Sequence, residues 1–278
     1  MISCKDYVKE RKDILKNEIA SFDSQPTLVV IQVDNDVAST SYINGKKRDC
    51  TYVGIKLIHE HIDSSQYSQK DLEKKIKEYD CSIGVHGVIV QLPIPKKYNV
   101  KELQKCISPE KDVDGFRKDS MHIPCTPKGI KDWLEYNNYK FEGKNATVLG
   151  RSEIVGKPMN NILIDKGMTV TCCNSKTDNF TRLHAIRNSD LVVVAIGKAK
   201  SMKYDQFFNS VTKHIPEVIV DVGINEDENG NLCGDVDNEK FELNQNVYLT
   251  SVPGGVGLLT RLSLVENVVA AYKQIEGV

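Results

Sequence analysis

No stretch of this sequence approaches the roughly 18 consecutive apolar residues that a membrane-spanning helix needs. The first residues, Met1-Ile2-Ser3-Cys4-Lys5-Asp6-Tyr7, carry charge where a secretory signal requires an apolar run, so residence in the cytosol is expected. An excess of charge of one sign is missing as well: 37 lysines and arginines stand against 38 aspartates and glutamates, leaving a net −1. A chain so balanced has no global field with which to hold DNA, RNA or an anionic membrane, and a small-molecule partner fits better. The eight cysteines, at 4, 50, 81, 106, 125, 172, 173 and 233, nowhere form Cys-x-x-Cys, and they read as reduced, mostly small core residues. His-Glu-x-x-His is absent too; His59-Glu60-His61 on a strand puts both rings on one face with no third ligand, so no metal is expected. Nor is there a Gly-x-Ser-x-Gly elbow for a serine hydrolase.

What is present is an alternation of helix and strand in a chain of 278 residues, long enough for two domains. A helical pattern through Tyr7, Val8, Ile14, Leu15 and Ile19 leads to a buried strand at Thr27 to Val33. A helix follows at Ser39 to Val53, a strand at Lys56 to Ile62, a charged helix at Gln69 to Tyr79 and an apolar strand at Gly87 to Leu92, ended by Pro93. The pattern pauses in a polar stretch after Asp114-Gly115, where we place a domain change, and resumes with a helix at Pro127 to Tyr136. Strands at Ala146 to Leu149, Thr169 to Cys173, Asp190 to Ile196, Val218 to Val222 and Val247 to Ser251 then alternate with helices at Lys157 to Lys166, Asn179 to Arg187 and Tyr204 to Phe208. This order predicts an α/β chain whose second part is a doubly wound, nucleotide-binding parallel sheet. Glu226 to Asn231 reads as an exposed turn, and the last helix, Leu259 to Ile275, is expected to return to the first domain.

Gly150-Arg151-Ser152-Glu153-Ile154-Val155-Gly156 lies between a strand and a helix, where backbone N–H groups and the helix dipole favour a phosphate. It lacks Gly-x-Gly-x-x-Gly, so an ordinary strand-to-helix turn stays open as a reading. The following strand bears on the choice. NAD enzymes carry a carboxylate at its end for the ribose hydroxyl, whereas here it ends in Asn174-Ser175-Lys176-Thr177. Arg151, Ser175 and Lys176 suit a 2'-phosphate that a carboxylate would repel, which favours NADP, although a single surface lysine is more often merely solvated.

Tyr42 and Lys46 stand four residues apart on a predicted helix, so they share a face and can act on one ligand; an amphipathic helix with a half-buried tyrosine and a solvated lysine is the plainer reading. Short-chain dehydrogenases also use Tyr-x-x-x-Lys, but after their nucleotide-binding glycines, and here the pair precedes the Gly150 turn by about 100 residues. Gln91 falls at the C-terminal end of an apolar strand, the end at which open parallel sheets bind ligands. Asp112-Val113-Asp114-Gly115 offers a carboxylate able to hold an amino-pyrimidine edge by paired hydrogen bonds, with an everyday Asp-Gly turn as the alternative. His86, before a buried strand, reads as a structural hydrogen-bonding residue.

Taken in order, these pieces resemble the bifunctional methylenetetrahydrofolate dehydrogenase/cyclohydrolase family. The resemblance runs through Ser41-Tyr42-Ile43-Asn44-Gly45-Lys46, Val53-Gly54-Ile55, Val85-His86-Gly87, Val90-Gln91-Leu92-Pro93 and Pro109-Glu110-Lys111-Asp112-Val113-Asp114-Gly115. It continues in Pro124-Cys125-Thr126-Pro127-Lys128-Gly129, Gly150-Arg151-Ser152, Val155-Gly156-Lys157-Pro158, Ser175-Lys176-Thr177, Gly234-Asp235-Val236 and Val252-Pro253-Gly254-Gly255-Val256-Gly257. The resemblance implies an N-terminal α/β catalytic domain that binds folate, residues 1–120 completed by about 255–278, and a Rossmann-like NADP-binding domain at 121–254. It makes Lys46 the catalytic lysine, has Tyr42 pack on the folate rings, has Gln91 orient the lysine and has Asp114 bind the pterin. Pro253, Gly254 and Gly255 would line the folate site, and Gly150, Arg151, Ser152, Gly156, Ser175 and Lys176 the cofactor site. Family members are homodimers with a cleft between the two domains.

The chain departs from the family in a few places. Val33 to Ser39 lacks the glycine and proline usual before Ala-Ser, which bears on loop shape; Asn174 replaces a common histidine. Ser251 and Leu258-Leu259 replace a proline and a Pro-Met pair, which bears on the fine shape of the folate site. None removes a proposed catalytic group. The expected chemistry is hydride removal from 5,10-methylenetetrahydrofolate by NADP, then hydrolysis of the methenyl cation with Lys46 moving the protons. Two other readings stay open: a dehydrogenase without cyclohydrolase, and a catalytically silent nucleotide-binding regulator.

Overall fold

The computed structural model describes residues 1–241, 244 and 246–278, leaving aside the side chains of residues 37 and 38. The chain forms two compact units, one of Lys9–Cys125 with Arg261–Val278 and one of Met1–Val8 with Thr126–Thr260.

The first unit is built on a three-stranded parallel sheet. Helix α1 (Cys4–Ile19) leads to β1 (Thr27–Val33), followed by α2 (Val37–Val53), β2 (Lys56–Ile62), α3 (Gln69–Asp80), β3 (Gly87–Val90) and α4 (Val100–Lys105). The sheet order β2-β1-β3 puts β1 in the middle, and all seven of its residues are buried. That is why it reads as an unbroken apolar run, whereas the edge strand β2 carries partly exposed histidines. One face of β1 and β3 packs on Leu72 and Ile76 of α3 and Leu103 of α4, each such buried side chain worth roughly 1.5–3 kcal/mol over exposure. Helix α2 starts two residues before the expected Ser39 because Asp36 caps it, accepting the Ser39 N–H at 2.7 Å, and Gly54 closes it at φ +97°.

In the second unit α5 (Cys125–Tyr136) precedes β4 (Asn145–Leu149), α6 (Gly156–Asp165), β5 (Thr169–Cys173), α7 (Asn179–Arg187), β6 (Leu191–Val194), α8 (Tyr204–Phe207) and β7 (Val218–Asp221). A small hairpin, β8 (Asn225–Glu226) and β9 (Leu232–Cys233), then leads to β10 (Tyr248–Leu249) and the long α9 (Val256–Glu276). The hairpin's turn contains most of the polar run expected as an exposed turn. The main sheet is parallel with order β10-β7-β6-β4-β5, that is 2-1-3-4-5 counted within the unit, a doubly wound order. Register aligns Leu149 with Cys173 and Val194, and Val194 with Asp221, so the loops after β4, β5, β6 and β7 leave the sheet side by side. Met1–Val8 belongs to this unit, where the buried Trp133 donates its indole N–H to the Ile2 carbonyl at 3.0 Å.

Most of α9 lies in the first unit, as expected of the last helix. Its Leu262, Val265, Val268 and Tyr272 are buried, and Tyr272 stacks on Phe22 with ring centroids 4.6 Å apart. No helix among the described residues is long and apolar enough to cross a membrane.

Candidate active site

In the first unit the expected pair on α2 is joined by Gln91. Lys46 is 5% exposed, and its Nζ donates to Gln91 Oε1 at 3.0 Å while lying 5.3 Å from the centre of the Tyr42 ring. A buried ammonium needs such partners, and the ring face adds a cation–π contact. Gln91 sits one residue beyond β3, which is shorter than the expected Gly87 to Leu92, although its N–H still donates to the Ile31 carbonyl at 2.9 Å. Its Nε2 donates to its neighbour's carbonyl, Leu92 O, at 2.7 Å. That bond fixes the amide so that Oε1 faces Lys46. Ser39, in the first turn of α2, donates to the same carbonyl at 3.4 Å.

One turn beyond Lys46, the buried Asp49 pairs with Lys12 and with Arg261 Nε at 2.8 Å. The Arg261 side chain reaches it by lying over Gly45, where a Cβ would stand 2.1 Å from Nη1. Cys50 beside this cluster has its thiol pushed up to about 12 by burial, with the Asp49 carboxylate adding to the effect.

The two carboxylates of Asp112-Val113-Asp114-Gly115 have different fates. Asp112 is buried and accepts the Arg117 N–H at 2.9 Å, closing the loop internally. Asp114 is half-buried, and its Oδ1 meets the Cys125 thiol only at 4.0 Å. Desolvation raises its carboxyl above the usual carboxylate range; the Lys46 ammonium opposes that shift and Asp112 adds to it. Gly115 follows at φ +71°, where a Cβ would stand 2.6 Å from Pro124 N, so Asp-Gly forms the tight turn that was its alternative reading. Sequence reasoning missed Asn267 of α9, whose buried Nδ2 donates to Val113 O at 2.9 Å and Ile123 O at 3.2 Å and so steadies both sides of this loop. No short-range pattern marks it.

His86 is structural, as expected. It is 1% exposed, accepts the Thr27 N–H on Nδ1 at 3.0 Å and meets Glu276 Oε1 from Nε2 at 3.1 Å. His59 Nε2 lies 2.9 Å from Gln32 Oε1.

In the second unit the turn after β4 is made by two glycines. At Gly150, φ +130°, a Cβ would stand 2.4 Å from Ala195 O, and at Gly156 one would stand 2.3 Å from Gly150 O. The backbone therefore folds on itself ahead of α6, the close approach that a phosphate-binding turn needs. Ser152 Oγ accepts the Val155 and Gly156 N–H groups at 3.2 and 3.3 Å. Across the end of β5, Asn174 Oδ1 accepts the Lys176 N–H at 2.9 Å, and Ser175 and Lys176 are exposed, as is Arg151. Gly254, at φ +98°, and Gly255 form a second tight turn, in which a Cβ on Gly255 would stand 2.3 Å from Ser251 O.

Beside the Gly150 turn lies a pair of buried aspartates that sequence reasoning did not single out beyond quoting Gly234-Asp235-Val236. Asp235 accepts the N–H groups of Ile196, Gly197 and Lys198 at 2.7, 3.0 and 2.7 Å. This is why β6 stops at Val194, short of the expected Ile196: the next donors turn to a carboxylate instead of a neighbouring strand. Asp221 accepts from the main chains of Gly223, Asp235 and Val236 at 2.9, 3.0 and 2.9 Å, and burial pushes its carboxyl up to about 6.

Comparison with known proteins meets this geometry on both units. The tetrahydrofolate dehydrogenase/cyclohydrolase catalytic domain matches residues 2–114, and the NAD(P)-binding domain of the same family matches residues 124–276. The chain belongs to the tetrahydrofolate dehydrogenase/cyclohydrolase family. The bifunctional protein FolD of Bacillus licheniformis is 37% identical to it, over 99% of this chain and 97% of that protein. FolD of Bacillus subtilis is also 37% identical, over 99% and 98%. The crystal structure of the bifunctional FolD methylenetetrahydrofolate dehydrogenase/cyclohydrolase from Campylobacter jejuni superposes with a TM-score of 0.89 at 33% identity, covering 98% of each chain. The family's NAD(P)-binding domain spans the Gly150 turn, and its catalytic domain spans Tyr42, Lys46, Gln91 and Asp114.

Proposed function

We propose that this protein oxidises 5,10-methylenetetrahydrofolate with NADP and hydrolyses the resulting 5,10-methenyltetrahydrofolate to 10-formyltetrahydrofolate. The observation that carries this reading is the buried Lys46 ammonium held by Gln91 beside Tyr42, in a member of this family. We assign folate chemistry to the unit containing these residues and cofactor binding to the unit containing the Gly150 turn.

The second unit fits NADP better than NAD. Gly150 and Gly156 leave a cradle that any side chain would fill, at the N-terminus of α6. The end of β5 carries Ser175 and Lys176 where an NAD enzyme has a carboxylate, and Arg151 supplies a guanidinium for the 2'-phosphate. NADP, when bound, supplies the hydride acceptor.

In the first unit Asp114 accepts paired N–H bonds from the amino-pyrimidine edge and Tyr42 packs on the folate rings, which holds the methylene carbon for hydride loss. The product cation is stabilised by resonance, so this step asks the protein for alignment and no strong base. Hydrolysis asks for more. As water oxygen bonds to the methenyl carbon, Lys46 in its neutral amine form takes up one of the water protons; as the carbon–N5 bond breaks, the ammonium so formed delivers that proton to N5, the proton left on the former water oxygen goes to solvent, and the formyl group stays on N10. Gln91 holds the amine in line throughout. A dehydrogenase without this second activity has no use for a buried lysine so held, which favours the bifunctional reading over the monofunctional one.

Mixing the purified protein with 5,10-methylenetetrahydrofolate and NADP, and following NADPH and the methenyl product by absorbance, tests the proposal. NADPH formation with rapid methenyl decay is expected, and reduction of neither NADP nor NAD would refute it. Lys46→Met is expected to slow hydrolysis of added methenyltetrahydrofolate by roughly a hundredfold or more, the usual contribution of a positioned acid–base group, with a smaller effect on hydride transfer. Hydrolysis at the parental rate would remove Lys46 from this role. The family reading also makes the protein a cytosolic homodimer, which sedimentation at assay concentrations tests.

A further inference from the structure

The turn at residues 195–198 leaves β6 next to the glycine turn that ends β4, and the two touch: a Cβ on Gly150 would stand 2.4 Å from Ala195 O. A segment in this place would ordinarily offer its successive N–H groups to solvent or to an anion. Here they are consumed by one side chain. Asp235, fully buried, takes Ile196 N and Gly197 N on Oδ2 and Lys198 N on Oδ1, and Asn225 Nδ2 donates to Oδ1 as well at 3.0 Å. Four donors thus converge on one buried side chain.

Asp235 is itself held. Its main-chain N–H donates to Asp221 Oδ1 at 3.0 Å, and its carbonyl accepts the Met202 N–H at 2.9 Å in a short parallel bridge between Met202 and Val236. The two carboxylates fit because each lies over the other's glycine. A Cβ on Gly223 would stand 2.5 Å from Asp235 Cγ, and one on Gly234 would stand 1.9 Å from Asp221 Oδ2. The sequence therefore carries a reciprocal pattern, Asp221-x-Gly223 and Gly234-Asp235, that locks one loop at the binding end of the sheet to another.

We propose that Asp235 is a positioning residue for NADP: its buried carboxylate fixes the turn at 195–198 against the phosphate turn, so that the cofactor meets a preformed edge. This rests on the proposed cofactor site of the second unit. Asp235 touches neither cofactor nor substrate in this scheme; it acts through the turn it holds. A loose turn would have to be ordered on binding, and that cost appears as lost affinity.

The test uses the full-length protein with Asp235→Asn, which keeps the shape but turns an NH2 group toward donors, and Asn225→Ala, which removes one of the four donors. NADPH binding is read by nicotinamide fluorescence, and hydrolysis of methenyltetrahydrofolate is read separately with no NADP present. Asp235→Asn is expected to weaken NADPH binding roughly tenfold or more, as loss of hydrogen bonds to a charged group does, and Asn225→Ala to weaken it less in the same direction. Hydrolysis without cofactor is expected to stay within about twofold of the parent, since Lys46 and Gln91, the groups proposed to move its protons, lie in the other unit. Parental NADPH affinity in both variants would overturn the proposal, and so would hydrolysis falling in step with binding, which marks general loss of structure. If Asp235→Asn does not fold, Asn225→Ala decides alone, unchanged affinity being the refuting result. A parent that binds no NADPH would overturn the cofactor reading, and this inference with it, before any variant is compared.

Discussion

Asp112 and Asp114 stand two residues apart in one loop, and what separates them is where their hydrogen bonds go. Asp112 uses its carboxylate on the Arg117 N–H, while the Asp114 carboxylate meets the Cys125 thiol at 4.0 Å. Desolvation holds the Asp114 carboxyl above its usual range, against the pull of the Lys46 ammonium. If the carboxylate form binds the pterin, binding must weaken as pH falls through that raised value. The KM for methylenetetrahydrofolate is therefore expected to rise on acidification at a pH above the ordinary carboxylate range of about 4, while the KM for NADP does not follow it. Asp114→Asn should raise the folate KM at neutral pH and abolish this dependence; a folate KM in the parent that stays flat from neutral pH down to about 4.5 would count against the assignment. The spacing of Tyr42 and Lys46 was open to reading because four residues on a helix is a local relation. The Lys46–Gln91 bond joins residues 45 apart, and Gln91 was assigned to the lysine only through the family resemblance.

At the scale of elements, helix caps separate stability from function. Ser68 and Asp71 form a capping box at the start of α3, which carries none of the proposed site, whereas Asp36 caps α2, which carries Tyr42 and Lys46. Ser68→Ala is expected to cost about 1 kcal/mol in urea unfolding and to leave both activities unchanged. Asp36→Ala should also lower the unfolding midpoint, but with a loss of hydrolysis, since fraying of that turn frees Ser39 and shifts the helix that aims Lys46. Equal loss of activity in the two variants would show that α2 is not positioned by its cap. The strands of the two parallel sheets were legible, because central strands of such sheets must be apolar at nearly every position and β1 and β6 are, whereas the β8–β9 hairpin was read only as an exposed turn. Their ends were less so. The apolar run that includes β6 predicts a strand as far as Ile196, yet the strand stops at Val194. Asp235, 39 residues further along the chain, takes the Ile196 N–H, and no periodicity announces such a partner.

For the molecule as a whole, the proposed groups are divided between the two units: Tyr42, Lys46, Gln91 and Asp114 in one, the Gly150 turn, Arg151, Ser175 and Lys176 in the other. Hydrolysis of the methenyl cation consumes no NADP, so its own residues should suffice for it, and damage to the 2'-phosphate site should leave it alone. Arg151 is exposed, so its removal disturbs no core. Arg151→Ala is expected to raise the KM for NADP roughly tenfold, the scale of one charge-assisted hydrogen bond lost, while the KM for NAD changes little and the preference between them narrows. NADP should also protect the variant less against heat than it protects the parent at the same concentration, because stabilisation by a ligand follows its affinity. Hydrolysis of added methenyltetrahydrofolate should stay at the parental rate. Equal loss of NADP and NAD use would move the 2'-phosphate away from Arg151, and a parallel fall in hydrolysis would mean that the two activities are not divided between the units as proposed.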